Sequence, residues 1–98
     1  MKIALLGYGK MGKIVEKLAV KKGHTIVSRI NQYSSKEEIL KADIAIEFST
    51  PQAAVSNIKF CLENDIPIVS GTTGWLAHYD KMIKLCENRN GSFIYASN

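Results

Sequence analysis

The sequence predicts an α/β domain: a doubly wound parallel sheet of about five strands with helices on both faces. Two observations lead there. Short apolar runs alternate with segments whose apolar residues recur every three or four positions, the signature of successive βαβ units. Glycines and hydroxyl residues follow the apolar runs, where the turns of a parallel sheet collect at one edge.

Five runs read as strands: Lys2 to Leu6, Thr25 to Ile30, Ile44 to Phe48, Pro67 to Ser70 and Ser92 to Tyr95. Between the first two, Met11, Ile14, Val15, Leu18 and Ala19 form the stripe of an amphipathic helix, which Gly23 stops. The stretch Asn31 to Ala42 is polar; Ser34-Ser35 ahead of Lys36-Glu37-Glu38-Ile39-Leu40 predicts a loop and then a short capped helix. From Pro51, a favourable first-turn residue, Ala54, Val55, Ile58, Cys61 and Leu62 repeat the helical pattern up to Asn64-Asp65. A third helix spans His78 to Asn88, turns Met82, Ile83 and Leu85 inward, and ends at Asn90-Gly91. Right-handed, short connections give an expected strand order of 3-2-1-4-5, with a ligand at the carboxyl ends of the first and fourth strands.

Composition sets the bounds. A chain of 98 residues, 46% of them hydrophobic, is enough for one core, and no repeat or linker divides residues 1–98. No apolar run approaches the roughly 20 residues of a membrane span, and Gly7 to Lys13 interrupts any signal-peptide core, so a cytoplasmic protein is expected. Cys61 and Cys86 lack metal-ligand spacing and are expected as reduced thiols, with no metal site. Much of the +4 net charge sits at Lys10, Lys13, Lys17, Lys21 and Lys22, on or beside the first helix. That is either a solvated face or a positive field for an anionic cofactor. No interleaved aromatic and basic pattern or recognition helix points to nucleic acid.

The first strand runs straight into Gly7-Tyr8-Gly9-Lys10-Met11-Gly12 and then into the first helix. A G-x-G-x-x-G between strand and helix is the fingerprint of a Rossmann-type dinucleotide site. Gly7 makes the tight turn, Gly9 leaves room for a pyrophosphate, Gly12 lets the helix pack close, and the helix N-terminus offers free N–H groups. The expected rim continues as Ser49-Thr50-Pro51 after the third strand, Gly71-Thr72-Thr73-Gly74 after the fourth, and Ala96-Ser97-Asn98 at the end. Hydroxyls beside glycines admit a flat ring and offer donors and acceptors, although the same residues are ordinary in turns.

The blocks Asp43-Ile44-Ala45-Ile46-Glu47-Phe48-Ser49-Thr50-Pro51, Pro67-Ile68-Val69-Ser70-Gly71-Thr72-Thr73-Gly74-Trp75 and Tyr95-Ala96-Ser97-Asn98, with Asn57 and Cys61-Leu62-Glu63 between them, resemble dihydrodipicolinate reductase over the whole chain. That family is also called 4-hydroxy-tetrahydrodipicolinate reductase. The resemblance implies that Gly7 to Gly12, including Tyr8, Lys10 and Met11, hold the pyrophosphate, and that Phe48 and Ser49 border the nicotinamide ribose. It further implies that Gly71, Thr72 and Thr73 line the nicotinamide end, that Thr73 also reaches the substrate, and that Ala96, Ser97 and Asn98 close over the ring. The implied reaction reduces a cyclic imine-type intermediate of diaminopimelate and lysine biosynthesis with NADH or NADPH. The family's C-terminal domain, which binds and protonates substrate and builds a homotetramer, is absent from these 98 residues. Neither His24 nor His78 stands where such a group is needed. The expectation is therefore a cofactor domain that binds dinucleotide without turnover and meets its small-molecule substrate only with the missing domain.

An NAD-preferring site carries an acidic residue at the end of its second strand, to hold the ribose 2′-OH. Here that region reads Ser28-Arg29-Ile30-Asn31, so the expectation leans to NADPH or dual use, with Arg29 and Asn31 as candidates. Arg29 either meets a 2′-phosphate or is an exposed strand-end arginine. Two other readings stay open: the cofactor domain of a different dehydrogenase of the same architecture, and a stand-alone nucleotide-sensing or interaction module.

Overall fold

The computed structural model describes residues 1–96. Five strands, β1 (Lys2–Leu6), β2 (Thr25–Ile30), β3 (Ile44–Glu47), β4 (Ile68–Ser70) and β5 (Phe93–Tyr95), form one parallel sheet. Three α-helices join them: α1 (Lys10–Lys21), α2 (Pro51–Glu63) and α3 (Tyr79–Asn88). The expected capped helix before β3 is a 3₁₀ helix, Lys36–Lys41, and Ser35 caps it by accepting from the Glu37 N–H.

The strand order is 2-1-3-4-5, which corrects the expected 3-2-1-4-5. After β2 the chain returns across β1 and adds β3 on the far side, so that Ile3 to Leu6 of β1 pair with Ile44 to Glu47. The connection is short, and a single fully buried anchor, Ile39, packs it against Ala4, Leu6 and Ile30. Apolar alternation sets which face of a strand is buried but not which strand is its neighbour. The reversal of winding therefore falls between β1 and β3, the point at which sheets of this kind bind their ligands.

Alternation along β1 separates two cores. Ala4 and Leu6 face α2 and α3 in a cluster that includes Ala54, Ile58, Leu62, Trp75 and Met82, whereas Ile3 and Leu5 pack against Ala19 of α1. Helix α1 lies close to the sheet through small residues, with Gly12 and Ala19 its buried positions. Such a narrow contact leaves Ile14 and Leu18 of the expected stripe 47% and 54% exposed. Cys61 is buried and Cys86 half-buried, both as free thiols. No helix among the described residues is long and apolar enough to cross a membrane, and no group of them could hold a metal ion.

Candidate dinucleotide-binding site

Three turns meet at the carboxyl edge of β1, β3 and β4, and glycines set how closely. Gly7 has φ +99°, and a Cβ there would strike the Phe48 carbonyl. A Cβ on Gly12 would lie 2.6 Å from the Gly7 carbonyl oxygen, so α1 can start only where it does if that residue is bare. The Phe48 ring is flush against Gly71 and fills the place of a Cβ there. Phe48 thus joins the first turn through its backbone and the third through its ring. Around Gly9, in contrast, nothing comes within 4 Å of a Cβ position, and no side chain caps the helix that begins there. The first N–H groups of α1 are left without side-chain partners beside open space, which is the seat an anionic pyrophosphate requires.

That seat opens onto a cleft of about 660 Å³ lined by Gly7 and Gly9, by Ile30 to Ser34 and Lys36, by Phe48 to Thr50, and by Ala53, Ser56 and Asn57 of α2. Its outer wall is a turn built by Asn31, whose side-chain oxygen accepts from the Tyr33 N–H at 2.8 Å. Lys36 contacts the Ser56 hydroxyl and ties the 3₁₀ segment to α2. None of the lining residues is acidic, and Lys36 is the one cation among them.

Arg29 is elsewhere. A register shift between Ile3 and Ala4 leaves Val27 unpaired, and beyond it Arg29 pairs with Leu5, whose side chain faces α1. The guanidinium therefore meets Glu16 of α1 in a two-pronged pair, Nε to Oε1 and Nη2 to Oε2 at 2.7 Å each. It also lies over the Tyr8 ring, 5.6 Å from its centre, while Lys13 lies 5.9 Å from the same ring. Arg29 holds the Glu16 carboxyl down to about 2.

Three hydroxyls at the second and third turns, those of Ser49, Ser70 and Thr72, point inward. Fully buried Glu47, the last residue of β3, accepts from the Ser70 hydroxyl at 2.7 Å, the Thr72 hydroxyl at 2.8 Å, the Ser49 N–H at 2.9 Å and the Ser49 hydroxyl. Trp75 anchors the far side of the third turn: its Nε1 donates to the Thr72 carbonyl at 2.6 Å, and its ring packs among Tyr79, Phe93 and Tyr95. Thr73 is exposed, and the Ala96 N–H donates to the Ser70 carbonyl at 3.1 Å, which brings the end of the described chain beside this turn.

The family model described as dihydrodipicolinate reductase, N-terminus, matches residues 1–98. A 4-hydroxy-tetrahydrodipicolinate reductase from Christiangramia forsetii is 44% identical over 100 residues, covering 100% of this chain and 42% of that protein. The chain belongs to the dihydrodipicolinate reductase family. The reductase of the same name from Staphylococcus aureus is 40% identical over 87 residues, 76% of this chain and 34% of that protein. The chain thus spans about two fifths or less of the length of these curated relatives. Among solved structures, a Gfo/Idh/MocA family oxidoreductase from Vibrio cholerae matches with TM-score 0.80 at 14% identity, over 98% of this chain and 38% of that one. A hyperthermophilic archaeal homoserine dehydrogenase in complex with NADPH matches with TM-score 0.78 at 17% identity, over 98% and 43%. These two share the fold.

Of the residues that the sequence singles out, the structure of this reductase-family domain gathers Gly7, Gly9, Asn31, Phe48 and Ser49 around the cleft, with Gly12 packed behind Gly7. Lys10 and Met11 open helix α1 next to Gly9. Tyr8 and Arg29 stand on the α1 face, outside the cleft lining. Gly71 and Thr72 lie outside the cleft lining, buried beside Phe48 and Glu47, with exposed Thr73 following them and Ala96 bonded to Ser70; Ser97 and Asn98 lie outside the described residues. Sequence reading missed Lys36 and Glu47. The available signal for Glu47 was a carboxylate in phase with Ala45 on a strand whose alternation buries that face.

Proposed function

We propose that the chain is the cofactor-binding part of a reductase that uses NADPH, or NADPH and NADH alike, to reduce 4-hydroxy-tetrahydrodipicolinate on the route to diaminopimelate and lysine. The bare N-terminus of α1 at the mouth of the cleft carries the reading: open space at Gly9 and uncapped N–H groups fit a pyrophosphate, so the residues present suit the cofactor. On this reading the cleft from Asn31 to Lys36 takes the adenosine half and the ledge of Phe48, Gly71 and Thr73 takes the nicotinamide. When bound, the nicotinamide supplies the hydride; the chain's own part is to fix its position and shed water from one face. On the same reading Thr73, whose side chain is exposed, meets the substrate.

Cofactor choice follows from charge. The absence of a lining carboxylate removes the usual partner of a ribose 2′-OH pair, and Lys36 supports a 2′-phosphate. Arg29 is paired with Glu16 outside the cleft lining, so the assignment rests on Lys36 first. Calorimetric titration is expected to give NADPH an affinity at least equal to that of NADH, and Lys36→Ala is expected to weaken NADPH more than NADH. NADH binding tenfold tighter at matched salt, with both affinities untouched by Lys36→Ala and Arg29→Ala, would contradict this assignment. The chain of 98 residues is expected to bind without turnover. Substrate-dependent NADPH oxidation by it alone would show that the catalytic groups lie within these residues.

A further inference from the structure

Glu47 is fully shielded from solvent, and no cation pairs with it among the described residues. A buried carboxylate of this kind persists only where donors surround it. Here the donors come from two different turns: Ser49 from the turn after β3, Ser70 and Thr72 from the end of β4 and the turn beyond it. Thr72 Oγ1 also accepts from the Ser49 N–H at 2.8 Å, which closes a ring of bonds between the turns. The β3–β4 ladder ends where the Gly71 N–H donates to the Glu47 carbonyl at 2.8 Å. The side chain of the same residue continues the connection past that last rung. Phe48, the next residue, then seats its ring on Gly71.

We infer that Glu47 is a positioning residue for the nicotinamide half of the site. Its two carboxylate oxygens hold the turn after β3 and the turn after β4 at one fixed separation, so the ledge of Phe48, Gly71 and Thr73 is formed before a ligand arrives. Ser49 and Thr72 act through this clasp, and their hydroxyls are spent on it rather than on the ligand. The inference rests on the nicotinamide placement proposed above.

The test compares, by calorimetry on the full chain, the tighter-binding of NADH and NADPH with its counterpart lacking nicotinamide, ADP-ribose or its 2′-phosphate. Glu47→Leu, similar in volume but without acceptors, is expected to lower dinucleotide affinity by about tenfold and ADP-ribose affinity by less than about twofold. Glu47→Gln is expected to recover most of that loss, because its amide oxygen still accepts from Ser49 and Thr72 while its NH₂ donates to Ser70. Should Glu47→Leu fail to fold, Ser70→Ala removes one strut and is expected to give about a threefold loss confined to the dinucleotide. An unchanged ratio between the two ligands in the folded variant overturns the role of Glu47. A wild-type chain that binds the dinucleotide no tighter than ADP-ribose overturns the nicotinamide placement itself.

Discussion

Helices α1 and α2 both begin at the carboxyl edge of the sheet, one turn beyond a strand, and they begin in opposite ways. Thr50 caps α2 by accepting from the Ala53 N–H at 3.2 Å, and Pro51 fills the first position, where no donor is needed. Helix α1 starts at Gly9 with no side-chain cap and no acidic residue in its first turn. It is held from its flank instead, by the clamp of Glu16 on Arg29 and by close packing at Gly12 and Ala19. One helix start is finished by its own sequence, and the other leaves its first N–H groups without side-chain partners. On the function proposed above, the missing cap is where the pyrophosphate sits.

The most severe way to break the contrast is to give α1 the cap it lacks. Gly9→Asp suits the extended backbone at that position, where nothing crowds a Cβ, and it supplies a preferred capping carboxylate in the place proposed for the pyrophosphate. The variant is expected to melt no lower than the parent while dinucleotide affinity falls by about 100-fold, the loss of two hydrogen bonds to a charged group. A paired melting curve and titration decide it. Retained affinity would remove the pyrophosphate from this helix start.

The reciprocal change is milder. Thr50→Ala is expected to cost about 1 kcal/mol of folding stability in denaturant titration, as for other lost caps. Its effect on dinucleotide affinity should stay within about twofold, since the oxygen removed serves the Ala53 N–H. The smallest effect lies in the flank clamp. Because Glu16 stays ionised down to about pH 2, the pair stabilises the fold above the unfolded carboxyl pKa of about 4.3 and loses that contribution as pH falls toward 2. Arg29 is 43% exposed, so solvent screening limits the contribution to under about 1 kcal/mol. Glu16→Gln should melt slightly lower than the parent at pH 7 and converge with it near pH 2; a gap that persists in acid would exclude the ion pair as its source.

The same contrast explains what the sequence could carry. Period and punctuation are local, and they placed all five strands, the three α-helices and the glycine turn within a residue or two of their positions. Strand order is not local. It turns on the crossover from Asn31 to Ala42, a polar stretch whose two buried side chains, Ile39 and Ala42, join the same core cluster as Ala4 and Leu6 of β1. Arg29 was read at the correct strand end, but its face depends on the unpaired Val27, and a one-residue register shift leaves no mark in composition. The hydroxyls of Ser49 and Thr72 were visible as rim chemistry; that they point inward could be known only with Glu47 beside them in space. Residues whose role is to leave space were the most legible, because only glycine does so.

Trp75 has a further use. It is the single tryptophan of the chain, and it donates to the Thr72 carbonyl from behind the ledge while its ring touches Tyr79, Phe93 and Tyr95. Its fluorescence therefore reports on one turn without contributions from elsewhere, and energy transfer to a reduced nicotinamide would mark the arrival of the ring itself. The chain carries its own optical probe at the end of the site where the chemistry is proposed, and no label has to be introduced to read it.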